Sequence, residues 1–214
     1  DVTKEEARDR AVDILRRVEL PNPDAVADRY PHQLSGGMRQ RAMIAMALAC
    51  DPTLLIADEP TTALDVTTQA QILDLLRQLQ EQHHMAIMLI THNLGVIAEM
   101  ADEVVVMYLG RVVEKGPVDA IFSTPKHPYT QALLRSIPSI EAPARVKLPT
   151  ISGSIPHPHN RPAGCPFHPR CPSFMMGTCD RLEPDLQLVA ERHEVSCFLY
   201  HAPVSLGSEQ IRAT

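Results

Sequence analysis

Apolar residues recur at helical spacing at Ala7, Ala11, Ile14, Leu15 and Val18, which predicts an amphipathic helix over residues 4–19. Thr3-Lys4-Glu5-Glu6 opens it as a capping box, in which hydroxyl and carboxylate each meet a free N–H of the first turn. Pro21, Pro23 and Pro31 interrupt the next stretch of chain and leave room for one short helix within residues 23–30. From Met38 to Cys50 the chain is apolar on nearly every side, predicting a helix buried in a larger protein, with Cys50 as a core thiol. Residues 53–57 and 85–90 are short apolar runs that read as buried strands. Between them Ile72, Leu73, Leu75, Leu76 and Leu79 predict a helix over 67–82, and a shorter helix comes after the second strand, over 93–100. Residues 103–108 and 111–115 flank Leu109-Gly110 as a hairpin, and 117–123 and 128–136 read as two further short helices. Strands alternating with helices predict an α/β layer with a mainly parallel sheet.

Beyond Pro138 the periodicity fades and the composition changes. Nine of the 19 prolines fall between Pro138 and Pro172, and four of the five cysteines lie between Cys165 and Cys197. Something other than a large apolar core is expected to hold this tail together. The balance of 20 Lys and Arg against 26 Asp and Glu, net −6, lacks the basic footprint of a nucleic-acid or anionic-membrane partner. Eight aromatics and no Trp also leave little for stacking bases. The longest apolar run, Ala42 to Cys50, is nine residues, half of the ~18 that a membrane-spanning helix needs. The acidic opening Asp1-Val2-Thr3-Lys4-Glu5-Glu6 is the reverse of a secretory leader, and the absence of an initial Met suits a piece of something longer.

Three short stretches carry chemistry. In Leu34-Ser35-Gly36-Gly37-Met38-Arg39-Gln40-Arg41, Ser35 is a good N-cap and the glycines let a ligand approach the positive end of a helix. By itself, such a stretch is more often just a capped core helix. Leu54-Leu55-Ile56-Ala57-Asp58-Glu59-Pro60 places two carboxylates at the C-terminal end of a strand, the edge where open α/β sheets bind ligands. In a nucleotide hydrolase the first acid can hold Mg²⁺ and the second can polarise the attacking water; an acidic loop with a helix cap reads equally well. Asp65, a few residues on, is a candidate cap for the next helix. Leu89-Ile90-Thr91-His92-Asn93 then brings His92 to the end of the second strand, on the same edge as Asp58 and Glu59.

In this order, the three stretches resemble the ATP-binding subunit of ABC transporters, over residues 30 to about 115. The resemblance implies the second half of a RecA-like nucleotide-binding core, with ATP and Mg²⁺ as ligands. It implies a signature loop at Leu34–Gln40, a Walker B strand ending at Asp58, a catalytic Glu59, a D-loop at Ala63-Leu64-Asp65 and a switch histidine at His92. Ser35 and Gly37 would then contact the γ-phosphate of ATP held by a partner subunit, and His92 that of its own; Gly36, Gln40, Asp58 and Asp65 are the other implied cofactor-binding residues. Tyr30-Pro31-His32-Gln33, Asp65-Val66-Thr67 and the stretch His127–Leu134 resemble the dipeptide/oligopeptide (or nickel) importers, as does Gly164–Cys171. The division so implied is a helical-subdomain remnant at 1–34, the ATPase core at 35–123, a helical connector at 124–137 and a Pro/Cys-rich extension at 138–214. The implied partners are a second ATPase subunit, identical or paralogous, transmembrane permease subunits and, indirectly, an extracytoplasmic solute-binding protein. The implied place is the cytoplasmic face of the membrane, as a peripheral subunit.

No Gly-x-x-x-x-Gly-Lys-Ser/Thr occurs in the 214 residues, and no glutamine before the signature suits the family's Q-loop. A preceding segment carrying the Walker A loop is therefore expected, and this piece alone is expected to be inactive. A rival from another class is a non-catalytic, metal-stapled interaction or regulatory module.

Cys165, Cys171, Cys179 and Cys197 are separated by 5, 7 and 17 residues. Structural disulfides are disfavoured in a reducing compartment, and zinc sites usually include a tight Cys-x₂₋₄-Cys pair, absent here. Iron–sulfur clusters accept more varied spacings, and unliganded thiols are the remaining alternative. The resemblance implies a [4Fe–4S] cluster on these four, with zinc as runner-up.

Overall fold

In the computed structural model, residues 2–137 and 150–202 are described; the first twelve residues of the proline-rich tail lie outside them. They form two compact units, divided between Met100 and Ala101.

The first unit opens with α1 (Lys4–Arg17), capped as its sequence predicts: Thr3 Oγ1 accepts from Glu6 N at 3.2 Å and Glu6 Oε2 from Thr3 N at 2.7 Å. α2 is a single turn, Pro23–Val26, shorter than the punctuation allows. α3 (Gly36–Leu48) starts at the N-cap Ser35 and buries Ile44, Ala45 and Leu48. Met43 and Met46 stand exposed on its other side, so among the described residues this helix is covered on one face only. Cys50 is a correction to the sequence reading: it lies past the C-cap Ala49, in a turn that carries it out of the core, and is exposed.

β1 (Leu54–Asp58) and β2 (Ala86–Ile90) pair in parallel, Leu54 opposite Ala86 and Asp58 opposite Ile90. They are not buried on both sides as expected. Leu55 and Ile87 enter the core, whereas Leu54, Ile56, Met88 and Ile90 share the opposite, open face. α4 (Val66–His83) lies between them in sequence and contributes Ile72, Leu75, Leu76 and Leu79 to the same core, each almost fully buried. At roughly 1.5–3 kcal/mol for each fully buried aliphatic side chain, this helix is a main support of the unit. α5 (Leu94–Met100) closes it.

The second unit is built on a hairpin of β3 (Glu103–Tyr108) and β4 (Arg111–Pro117). Its two turn residues, Leu109 and Gly110, both have positive φ, 46° and 76°, the type I′ geometry whose twist matches the strands. α6 (Val118–Ser123) and α7 (Pro128–Arg135) come next. Two short strands that lack a sequence signal, β5 (Gln187–Ala190) and β6 (His193–Val195), then complete a sheet in the order β3-β4-β6-β5. The expected mainly parallel sheet is thus corrected: the larger described sheet is antiparallel throughout.

β6 is fastened to β4 by a buried pair. Glu114, fully buried, accepts from His193 Nε2 at 2.8 Å and from the backbone N–H groups of Lys126 and His127 at 2.6 and 2.9 Å. Phe167, 1% exposed, packs against Tyr108 and Tyr129, at ring-centroid distances of 5.3 and 5.4 Å. Part of the tail therefore does have an apolar core, supplied jointly by the hairpin and α7.

Candidate functional site

The β1–β2 pairing continues one residue past the strand, with Glu59 N donating to Ile90 O at 2.8 Å. Glu59 itself takes a left-handed φ of 48°, a conformation costly for a residue with a side chain and typical of functional turns. Its carboxylate is then met from two loops. His92 Nδ1 lies 2.7 Å from Oε1 and His92 N donates to Oε1 at 3.2 Å, while Thr62 Oγ1 donates to Oε2 at 2.8 Å. A more distant hydroxyl, Thr91 Oγ1, lies 3.5 Å from Oε2. These bonds, led by those from His92 and Thr62, hold the Glu59 carboxyl below its ordinary pKa. An ionised carboxylate only accepts, so Nδ1 is the donor to Oε1, and the ring, with its Nε2, is largely exposed.

Asp58, exposed at the end of β1, adds a second carboxylate next to this pair. The arrangement can bind a hydrated cation and take a proton from a water held nearby. Thr62 and Thr91 are the members that the sequence reading missed. The run Thr61-Thr62 directly after Glu59-Pro60 was the available signal, since a hydroxyl three residues on commonly returns to a side-chain acceptor in a turn.

The signature stretch is placed as a helix start. Ser35 Oγ accepts from Met38 N at 3.3 Å, Gly36 and Gly37 form the first turn, and Gln40 is half-buried one turn on. Asp65 caps α4 in the same manner, accepting from Thr68 N at 2.9 Å and Thr68 Oγ1 at 2.7 Å. Both bonds from Thr68 hold Asp65 below its ordinary pKa.

In the second unit, Cys165, Cys171 and Cys179 share one cluster with Phe167 and Tyr108. Cys165 N donates to Cys179 O at 2.8 Å, an approach that only glycine at 164 allows. Gly164 has φ 69°, and a β-carbon there would stand 2.5 Å from Cys179 O. Burial pushes the thiols of Cys165 and Cys197 up to about 11 and raises that of Cys171. Negative charge on Cys165, Cys171 and Cys179 would add to the upward shift of Cys197. Among the described residues, however, no three His, Cys, Asp or Glu side chains are grouped to hold a metal ion.

Comparison with known proteins agrees with this geometry. Residues 1–62 match the family "ABC transporter", and residues 113–179 match "Oligopeptide/dipeptide transporter, C-terminal region". The dipeptide transport ATP-binding protein DppD of Escherichia coli is 52% identical over 194 residues, covering 91% of this chain and 59% of that protein. The oligopeptide transport ATP-binding protein AppD of Bacillus subtilis is 51% identical over 210 residues, covering 98% of this chain and 62% of that protein. The chain thus spans less than two thirds of these relatives' length. Among solved structures, cbiO1 of Clostridium perfringens, part of an ABC transporter complex, is 31% identical with a TM-score of 0.51, over 58% of this chain and 48% of that one. A metal-chelate type ABC transporter in an inward-facing conformation is 26% identical with a TM-score of 0.53, over 63% of this chain and 50% of that one. With the two family matches in succession along one sequence, and relatives half identical across more than nine-tenths of it, the chain belongs to the ATP-binding proteins of ABC transporters, in their oligopeptide/dipeptide branch.

Proposed function

We propose that these residues form the second half of an ATP-hydrolysing subunit that energises peptide import. The observation that carries the reading is the Glu59–His92 pair at the C-terminal edge of β1 and β2, with the Glu59 carboxyl held below its ordinary pKa and Asp58 next to it in sequence. In this reading Glu59 takes the proton of the attacking water and His92 donates its exposed Nε2–H to an oxygen of the γ-phosphate. Asp58 would hold Mg²⁺, directly or through water. Ser35, Gly36, Gly37 and Gln40 would meet the ATP of a second subunit across a dimer, at the positive end of α3. Relatives named for dipeptide and oligopeptide transport favour peptides over nickel as cargo, and catalysis over a purely structural module. Permease subunits and, through them, an extracytoplasmic solute-binding protein are the partners. Likeness to importer ATP-binding proteins supports a peripheral place on the cytoplasmic face; no described helix is long and apolar enough to cross a membrane. The domain limits that we propose are those of the resemblance: 1–34, 35–123, 124–137 and 138–214.

These 214 residues contain no phosphate-binding loop. Mg²⁺-dependent ATP hydrolysis is therefore expected when they are joined to a Walker A-bearing segment, and none from these residues alone. Turnover by the 214 residues alone would contradict this division of labour.

For the second unit we propose that Cys165, Cys171, Cys179 and Cys197 hold a [4Fe–4S] cluster. Four buried or half-buried free thiols within one stretch of the tail are a suitable donor set. Such a cluster would staple the loops together and supply one-electron chemistry. Anaerobic purification should yield about four irons per chain and no zinc, on the cluster stoichiometry above, and Cys179→Ser should lose them. One zinc and no iron would overturn the proposal.

A further inference from the structure

The first turn of α3 and the start of α4 meet where only a glycine fits. A β-carbon on Gly37 would stand 2.7 Å from Cγ2 of Thr68, far inside van der Waals contact. Gly36 has ordinary room, its β-position lying 3.6 Å from Leu64 Cδ2. Neither glycine has a positive φ. The demand for glycine at 37 therefore comes from the Thr68 methyl and not from the backbone.

Thr68 is half-buried, and its other branch is committed as well. Its hydroxyl donates to Asp65 Oδ2 at 2.7 Å while its N–H donates to Oδ1 at 2.9 Å. Methyl and hydroxyl leave the same β-carbon, so one torsion sets both, and β-branched side chains have few torsions available in a helix. The rotamer that serves Asp65 is the one that fills the notch left by Gly37. A shift of the signature turn toward α4 must either stop at the methyl or rotate it, and rotation withdraws the hydroxyl from Asp65.

We infer that Thr68 is a positioning residue that clasps the Ser35-Gly36-Gly37 turn to the Asp65 loop, so that the two move as one piece. The use of such a clasp rests on the nucleotide reading of these loops, where it would make closure of one loop on ATP register in the other. The clasp itself is a property of this chain without nucleotide.

The test uses the isotopically labelled 214-residue chain, tracking the Asp65 carboxyl through a pH titration by NMR. Gly37→Ala, a change that by itself favours helix, should displace the Thr68 methyl and raise the Asp65 pKa toward its ordinary value. Thr68→Ser in the same chain removes the methyl, keeps the hydroxyl and should return the Asp65 titration to that of the parent. Thr68→Val keeps the methyl, loses the hydroxyl and should raise the Asp65 pKa with Gly37 in place. An Asp65 titration that ignores Gly37→Ala, or that Thr68→Ser fails to restore, would overturn the clasp. So would a Thr68→Val chain titrating like the parent. None of these readings requires ATP, so failure of the ATPase proposal would leave them standing, and their failure would leave it standing.

Discussion

Glu59→Gln, in a subunit that also carries a phosphate-binding loop, should cut ATP turnover by about 10²–10⁴-fold, the usual contribution of a positioned general base. The amide keeps the shape of the carboxylate and can still meet Thr62 and His92, but it cannot take a proton from water. Nucleotide affinity, measured by equilibrium binding, should change little, because Glu59 touches no element of the signature turn in its present hydrogen bonding. A variant with near-parental turnover would remove Glu59 from the chemistry. The pH dependence has a sign as well. Hydrogen bonds from His92 and Thr62 lower the Glu59 pKa, so the base stays ionised, and activity persists, until the pH falls through that lowered value. Thr62→Ala removes one of those bonds, lets the pKa rise toward the ordinary glutamate value and should move the acid limb of the rate profile to higher pH.

The second large effect concerns stability. Glu114→Ala should destabilise the second unit by about 3–5 kcal/mol, the range for breaking a buried, hydrogen-bonded pair. Three donors depend on that carboxylate: the N–H groups of Lys126 and His127, and His193 Nε2. His193 is 2% exposed, so water cannot readily replace the lost partner without opening the sheet. Domains are stable by only about 5–15 kcal/mol, so a loss of this size should appear plainly as a lower denaturant midpoint. Glu114→Gln retains one acceptor oxygen and should cost less. An Ala variant within about 1 kcal/mol of the parent, the scale of an ordinary hydrogen bond, would show that the pair contributes little.

Much of the local structure was legible from residue spacing. The capping box at Thr3–Glu6, the leucine-rich stripe of α4 and the Leu109-Gly110 turn are contacts within a few residues of each other, and spacing alone specifies such geometry. β5 and β6 were not legible. They are four and three residues long, and β6 is held by a partner 79 positions away, a relation that no local pattern records. Cys50 was misplaced for a similar reason: hydrophobicity described the helix, but its C-cap at Ala49 decided that the thiol leaves the core.

The site divides along the same line. The sequence by itself determined which residue types are present and in what order: the Ser35-capped glycine turn, the Asp58-Glu59 strand end, the Asp65 cap and His92. It also determined that four cysteines share the tail. Only the tertiary structure decided that His92 and Thr62 both close on Glu59, that Thr68 occupies the space Gly37 leaves, and that Gly164 brings Cys165 onto Cys179. The physical reason is that periodicity encodes which face a residue presents, whereas contacts across 31 or 33 positions depend on how strands register and helices cross.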